Sequence, residues 1–129
     1  MMSNKIVTAG KRGEIFAREF LKNKGFEFLC SNYHSRYGEI DIIMQNDKYI
    51  IFVEVKTRRA GSMVRGLESV SKNKREKLTK TAYVYLLNNP SEKQPRFDVV
   101  EIIKDYKMKT VKINHLENAF DAEEFDAFF

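Results

Sequence analysis

The sequence predicts an α/β fold in which a mixed central sheet of about five strands is flanked by helices, in the order α-β-β-β-α-β-β. Two segments have the spacing of apolar residues that is typical of amphipathic helices, and five shorter runs have strand length and many β-branched residues. Gly, Pro and polar clusters separate these segments. The 129 residues, 43% of them hydrophobic, have the length of one domain, which we expect to span residues 1–129.

The first helix is predicted over residues 12–24. Phe20 and Leu21 lie there on one apolar stripe, and Gly25 supplies the glycine that commonly ends a helix. A short strand over residues 26–31 follows.

The next two strands form a predicted hairpin. Residues 38–45 and 48–57 are apolar, β-branched runs, and the polar pair Asn46-Asp47 between them is typical of a turn. Because side chains alternate across a strand, neighbouring residues of each run face opposite sides of the sheet.

A basic loop and a second helix follow the hairpin. Residues 58–66 contain two glycines and three arginines, which indicates a mobile basic loop. Ser71 can cap a helix that runs to about Asn88, and Pro90 prevents its continuation.

Two strands, residues 96–103 and 108–113, close the predicted sheet. Residues 115–129 form an acidic tail, which we expect to be a short amphipathic helix that packs its four phenylalanines. This tail holds five of the 18 acidic residues and none of the 23 basic ones, so the rest of the chain is strongly basic. Such a surplus favours a polyanionic partner, nucleic acid before membrane, although a merely solvated surface explains the charge equally well.

Several classes of protein do not fit the composition. No apolar run approaches the ~20 residues that span a bilayer, and the first residues lack the apolar segment of a signal peptide, so we expect a cytoplasmic protein with no membrane partner. Cys30 is the single cysteine and cannot form an internal disulfide. One cysteine and two histidines are also a poor ligand set for zinc.

Two carboxylates occupy hairpin positions that should belong to the core. In an antiparallel hairpin the numbers of paired residues have a constant sum, which is odd for any loop with an even number of residues. Asp41 and Glu54 have an odd sum, so any even loop places them on one face, directly opposite or diagonal. Opposed like charges destabilise a sheet, and a divalent cation would offset them, with Lys56 adding positive charge on the same face. The alternative is a half-exposed acidic face on which Lys56 is an ordinary salt-bridge partner.

Glu14 adds a third carboxylate, at the border of the apolar stripe of the first helix. Gly10 and Gly13 precede it and leave room for close approach by backbone or phosphate. The alternative is that this first-turn glutamate only interacts favourably with the helix dipole.

Four ordered blocks of sequence carry a resemblance to a known family. They are Gly13-Glu14, Gly38-Glu39-Ile40-Asp41, Phe52-Val53-Glu54-Val55-Lys56-Thr57-Arg58 and Arg96-Phe97-Asp98-Val99-Val100. With these blocks the chain resembles the uncharacterised YraN-like family, which looks like a branch of the PD-(D/E)XK nuclease superfamily, close to archaeal Holliday junction resolvases and restriction endonucleases. The resemblance extends from the first helix to residues 118–120 and implies a restriction endonuclease-like core.

The resemblance implies a metal-dependent endonuclease that uses Mg²⁺ (or Mn²⁺), acts on structured or branched DNA and, by analogy with junction resolvases, forms a homodimer. It makes Asp41, Glu54 and Lys56 the motif residues and Glu14 the acid on the helix. The metal ligands would be Asp41, Glu54 and the backbone carbonyl of Val55. The expected nucleic-acid contacts are Arg58, Arg59 and Arg65 on the loop and Lys72, Lys74 and Arg75 on the second helix.

Two other functions compete with this one. A nucleic-acid-binding module could keep the nuclease fold and its acids without cutting, and a structural scaffold would respond to neither Mg²⁺ nor DNA. A binding-only protein has little need for opposed carboxylates, which favours the nuclease.

Overall fold

Each face of the central sheet carries one helix, and the elements follow one another in the predicted order. The computed structural model describes residues 9–61 and 70–122, with side chains from residue 12 onward. Its elements are α1 (Ala9–Asn23), β1 (Glu27–Ser35), β2 (Gly38–Gln45), β3 (Tyr49–Arg59), α2 (Lys72–Asn88), β4 (Gln94–Lys104) and β5 (Thr110–Phe120). The predicted α/β class, the order of elements and the five-stranded mixed sheet are confirmed.

The strands lie in the order β1-β2-β3-β4-β5 in an open sheet. All neighbouring strands are antiparallel except β3 and β4, which run parallel and pair from Tyr49 with Gln94 to Arg59 with Lys104. Parallel neighbours need a long crossover connection, and α2 lies within it.

Two hydrophobic cores form, one on each side of the sheet. On one side α1 buries Ala17 and Leu21 completely against β2, β3 and β4. On the other side α2 contributes Leu78, Ala82 and Tyr85. The central strands are therefore covered on both faces, which explains why their sequences are nearly continuous apolar runs. Within the described residues, neither helix is long and apolar enough to cross a membrane.

The C-terminal strand differs from the prediction. β5 continues through residues 115–120, where we expected the start of a helical tail, and that expectation is wrong as far as Phe120. Pairing with β4 satisfies the backbone of this segment, and Phe120 stacks on Phe97 with 5.0 Å between ring centroids. Residues 123–129 of the predicted tail and residues 62–66 of the predicted basic loop lie outside the described residues. Arg58 and Arg59, which we expected in that loop, instead end β3 and pair with β4.

Candidate functional site

The sheet opens between β2 and β3 at the candidate site. The pairing of β2 with β3 ends at Ile42 and Val53, whereas β1 stays paired with β2 as far as Gly38 and β4 stays paired with β3 as far as Arg59. Beyond Ile42 and Val53 the two strands therefore part, each held by its outer neighbour, and a cavity of about 430 Å³ lies beside the opening. The charged residues that line it are Glu14, Glu39, Asp41, Glu54, Lys56, Lys74 and Lys77.

The hairpin register brings Asp41 and Glu54 together. Because Ile42 pairs with Val53, the same register continued by one residue sets Asp41 opposite Glu54, in agreement with the predicted parity. The two carboxyl groups are hydrogen-bonded to each other, and the Val55 N–H donates to Asp41 Oδ2 at 2.8 Å. The Asp41 side chain thus takes the place of a ladder bond at the point where the strands part.

The Val55 carbonyl faces the same opening. In a β-strand the N–H and C=O of one residue point toward the same neighbouring strand. The Val55 N–H points toward Asp41, so its carbonyl oxygen lies on the Asp41 side of β3 as well. Three oxygen-bearing groups, from Asp41, Glu54 and Val55, consequently converge on the cavity.

The protonation of Asp41 reflects its burial and the neighbouring carboxylates. Burial, followed by the charge of Glu54, raises the pKa of Asp41 to about 8, against the opposing effect of the Val55 N–H. The charge of Glu14 adds a smaller increase in the same direction. Asp41 is therefore protonated at neutral pH unless a cation compensates the pair.

Two lysines approach Glu54 from different elements. Lys56 Nζ on β3 lies 3.0 Å from Glu54 Oε2, and Lys74 Nζ on α2 contacts the same oxygen. Burial lowers the pKa of Lys56, and the neighbouring Lys74 lowers it further. The pKa of Lys74 is raised despite its burial, because its ammonium group binds Glu54. Ser71 fixes the first turn of α2 as predicted, since its Oγ accepts the Lys74 N–H at 3.2 Å.

Gly13 allows α1 to come close to β3. A Cβ atom at this position would lie 2.8 Å from Thr57 Oγ1, which is closer than side-chain atoms pack. The glycine therefore permits the contact, and the next residue, Glu14, reaches the wall of the cavity. The close approach predicted at Gly13 is therefore a contact of the α1 backbone with strand β3.

The donor set fits a hard divalent cation. Carboxylate and carbonyl oxygens are the ligands that Mg²⁺ and Mn²⁺ take, and Mg²⁺ keeps several waters beside a few protein ligands. Within residues 9–61 and 70–122, no three His, Cys, Asp or Glu side chains lie close enough together to hold a metal ion. Glu14 is therefore not a third side-chain ligand beside Asp41 and Glu54. The set thus consists of two carboxylates and one carbonyl, with Glu14 as a nearby charge.

The arginines predicted to contact nucleic acid have different environments. Arg59 is exposed at the end of β3. Arg58 is half-buried, and its Nε and Nη2 atoms have no hydrogen-bond partner in the part of the chain that the structure describes. Arg65 lies outside the described residues.

The predicted contacts on α2 also separate. Lys72 is exposed, whereas Lys74 turns into the cavity and contacts Glu54. Arg75 Nη1 donates to the Val70 carbonyl at 3.0 Å, so this guanidinium is engaged within the fold.

A second polar cluster, which the sequence analysis did not identify, lies away from the cavity. Asp98 is fully buried and accepts two hydrogen bonds of 2.8 Å from Arg96. His115 Nε2 lies 2.7 Å from Asp98 Oδ2, and the Asn118 N–H donates to the other carboxylate oxygen at 3.0 Å. Despite burial, the bonds from His115 and Arg96 lower the pKa of Asp98. This cluster joins β4 to β5 and gives the fourth block of the family resemblance a structural role.

Comparison with known proteins identifies the family. The family model described as "Uncharacterised protein family UPF0102" matches residues 13–102. A UPF0102 protein of Dictyoglomus turgidum is 42% identical over 120 residues, which cover 92% of this chain and 100% of the relative. UPF0102 proteins of a Sulfurihydrogenibium species and of Caldanaerobacter subterraneus are 44% and 39% identical, each over 115 residues that cover 88% of this chain and 95% or 94% of the relative. The chain belongs to this family, as its resemblance to the YraN-like proteins predicted.

Proposed function

We propose that this UPF0102 protein is a metal-dependent nuclease that hydrolyses phosphodiester bonds in structured or branched DNA. The observation that supports it best is the contact of Asp41 with Glu54 where β2 and β3 part, with Lys56 Nζ 3.0 Å from Glu54 and a cavity beside them. The buried Glu54, the half-buried Asp41 and Lys56 on facing strands are costly for stability, and phosphodiester hydrolysis gives them a use. On the same resemblance we assign the chain to the PD-(D/E)XK superfamily.

The residues that we assign to Mg²⁺ or Mn²⁺ are Asp41, Glu54 and the carbonyl of Val55. A bound divalent ion supplies Lewis-acid stabilisation of phosphoryl oxygens and lowers the pKa of a coordinated water. Asp41 has to release its proton to act as a ligand, since the pKa of this carboxyl is about 8 without a cation. Glu14, whose charge already acts on Asp41, adds negative potential to the same cavity.

Lys56 has two roles in this proposal. Its ammonium group offsets the negative charge that builds on the phosphoryl oxygens during attack. Burial lowers its pKa, which brings the amine closer to the range in which it can accept a proton from the attacking water. Both roles require Lys56 to lie beside the proposed metal ligand Glu54. The two residues are two positions apart on β3, so their side chains lie on one face of the strand.

The substrate is inferred from the cations at this end of the sheet. Three of these cations lie on the two elements that carry Lys56 and Lys74: Arg58 and Arg59 at the end of β3, and Lys72 at the start of α2. Contacts from such side chains to phosphates position a strand without reading its sequence, which favours DNA recognised by its shape. By analogy with junction resolvases, we propose that the protein is a homodimer. We also propose that it acts in the cytoplasm.

A non-catalytic nucleic-acid-binding module is the second candidate. The contact of Lys74 with Glu54 favours the binding module, because Lys56 and Lys74 already neutralise the carboxylate that a metal would need. The fold can therefore balance this charge without a cation. Cleavage assays separate the two candidates, since only the nuclease needs Asp41 and Glu54 to be ionised together.

The test is cleavage of a panel of labelled flap, Holliday junction, single-stranded and duplex DNA in Mg²⁺ or Mn²⁺. We expect nicking of at least one branched substrate, and at least 100-fold slower cleavage by Asp41→Asn and Glu54→Gln with binding retained. The matched control is Asp47→Asn, which removes the same charge from the exposed turn at the other end of the hairpin and should cleave normally. If the wild type binds but cleaves none of these substrates, the binding module is correct and the nuclease is wrong.

A further inference from the structure

The hairpin between β4 and β5 ends in a turn whose largest apolar side chains face solvent. Tyr106 is 84% exposed and Met108 is 48% exposed. A mostly exposed tyrosine contributes little to folding, and aromatic residues are enriched where proteins bind partners. The segment 105–109, called the β4–β5 tip below, therefore has a surface that the fold itself does not explain.

The β4–β5 tip is rigidly built. Asp105 Oδ1 accepts the N–H groups of Lys107 at 2.8 Å and Lys109 at 2.9 Å, and the Asp105 N–H donates to the Lys109 carbonyl at 2.8 Å. A further bond of 2.9 Å joins the Met108 N–H to the Asp105 carbonyl, and Met108 has a positive φ of 63°. A turn held in this way presents Tyr106 to a ligand with little loss of backbone entropy.

The charge of the β4–β5 tip suits a polyanion. Lys107 and Lys109 are exposed, and so is Lys112, three residues farther along on β5. The only acid between residues 105 and 112 is Asp105, whose carboxylate is used by the backbone of the turn. Lys107 Nζ lies 5.6 Å from the centre of the Tyr106 ring, so cation and aromatic face are presented together.

The β4–β5 tip lies at the same end of the sheet as the candidate site. On parallel β3 and β4, Glu54 pairs with Val99 and Arg59 pairs with Lys104, the residue before the tip. Five residues at about 3.3 Å each put Lys104 roughly 17 Å beyond the level of Glu54, and Tyr106 lies two residues farther along the chain. A DNA strand advances about 3.4 Å per nucleotide, so Tyr106 lies at least about five nucleotides beyond that level.

We propose that the β4–β5 tip is a second DNA contact of the nuclease, at which Tyr106 stacks on an unpaired base while Lys107 and Lys109 bind the flanking phosphates. Stacking on an aromatic ring tolerates any base, so this contact selects for an unpaired position and not for a sequence. The inference rests on the proposed function, because the spacing is counted from Glu54. It names the substrate class as DNA with an unpaired base at least about five nucleotides from the bond that is cut.

The experiment measures binding separately from cleavage. Fluorescence anisotropy in EDTA compares the full-length wild type with Tyr106→Ala and Tyr106→Phe on a duplex and on the same duplex with a single-stranded flap. We expect Tyr106→Ala to bind the flap about tenfold more weakly and the duplex within twofold of wild type, whereas Tyr106→Phe keeps the ring and the affinity. A 2-aminopurine scanned along the flap should be quenched by stacking at one position in the wild type and not in Tyr106→Ala.

Two controls match these variants. Leu87→Ala removes another exposed apolar side chain, 62% exposed near the end of α2, and should bind like wild type. Lys107→Gln should weaken binding and reduce the salt dependence by nearly one phosphate contact, whereas Lys48→Gln, in the turn at the opposite end of β3, should not.

Each outcome is decisive. If the wild type binds the flap and Tyr106→Ala binds it equally well, the β4–β5 tip is not a DNA contact, while the nuclease proposal stands. If binding depends on Tyr106 but nothing is cleaved in Mg²⁺, the tip stands and the nuclease fails. An absence of DNA binding overturns both proposals. A change in sedimentation of Tyr106→Ala with unchanged DNA binding would make the tip a contact between protein chains, which also overturns the inference.

Discussion

Replacing Asp41 by Asn should stabilise the metal-free protein at alkaline pH while removing the proposed activity. The pKa of Asp41 rises from 3.8 to about 8 on folding, which corresponds to roughly 6 kcal/mol at about 1.4 kcal/mol per pH unit if the whole shift is paid in the folded state. Water entering the cavity screens part of this repulsion, so we expect a gain of about 2 kcal/mol. Asparagine keeps an oxygen that can accept the Val55 N–H and carries no charge.

The sign of the pH dependence follows from the direction of the shift. Because the pKa of Asp41 is higher in the folded state, the folded wild type holds a proton that the unfolded chain has lost between about pH 4 and pH 8. The free energy of unfolding of the wild type therefore loses this contribution as pH rises through that window. Asp41→Asn has no such loss, so its advantage should grow from near zero at pH 4 to its full value above pH 8.

The assay is urea denaturation in EDTA at pH 4.5, 7 and 9. Far-UV circular dichroism is the suitable signal, because the chain has no tryptophan. Asp47→Asn, which removes an exposed charge, should match the wild type at all three pH values. With saturating Mg²⁺ the wild type should gain stability and Asp41→Asn should not. A constant difference between Asp41→Asn and wild type across the three pH values, or a variant that is less stable at pH 9, would refute the reasoning.

Three further predictions concern other residues. Gly13→Ala should lower the free energy of unfolding by about 1–3 kcal/mol, because its Cβ would lie 2.8 Å from Thr57 Oγ1, and Thr57→Ala should restore part of the loss in a double-mutant cycle; strict additivity would contradict this. Asp98→Asn should cost about 3 kcal/mol at pH 7, because the buried Arg96 would keep only the exposed Glu117 as a counter-charge. Because folding lowers the pKa of Asp98, the stability advantage of the wild type over Asp98→Asn should shrink as pH falls below about 4. A difference in free energy of unfolding that does not shrink between about pH 4 and pH 2 in urea titrations would contradict this prediction. Lys74→Gln should be less stable than wild type without metal and more strongly stabilised by Mg²⁺ in thermal melts, and weaker protection by Mg²⁺ would exclude competition between Lys74 and the cation.

The sequence was sufficient for the parts of the site that depend on local geometry. Strand alternation and the parity of the hairpin place Asp41 and Glu54 on one face, because the period of a strand is fixed at two residues. The contact of Lys74 with Glu54 depends on how α2 docks on the sheet, and no local pattern encodes that docking. The parting of β2 from β3 is equally hidden, since both strands continue past Ile42 and Val53 and stay paired to their outer neighbours.

The end of the sheet was predicted less well than its centre. Residues 115–120 read as an acidic tail because polar residues such as His115 and Glu117 interrupt the apolar pattern. In the structure these residues belong to an edge strand, and His115 turns inward to the buried Asp98. Its polarity is thus satisfied by a partner on β4, which is distant in sequence, so periodicity alone could not assign it to a strand.

The arrangement around Glu54 explains how one chain can carry opposed carboxylates and still fold. Lys56 and Lys74 supply two positive charges to one Glu54 oxygen, Asp41 keeps its proton, and Glu14 adds a second negative charge, so the charges of the metal-free site balance. A divalent cation would have to displace Lys74 and release the Asp41 proton before it gained both ligands. We therefore expect Mg²⁺ to bind weakly to the protein alone. It should bind more tightly when a DNA phosphate binds Lys74 and draws this side chain away from Glu54. If the proposed function is right, we expect metal and DNA to bind cooperatively, because each removes an energetic cost of binding the other.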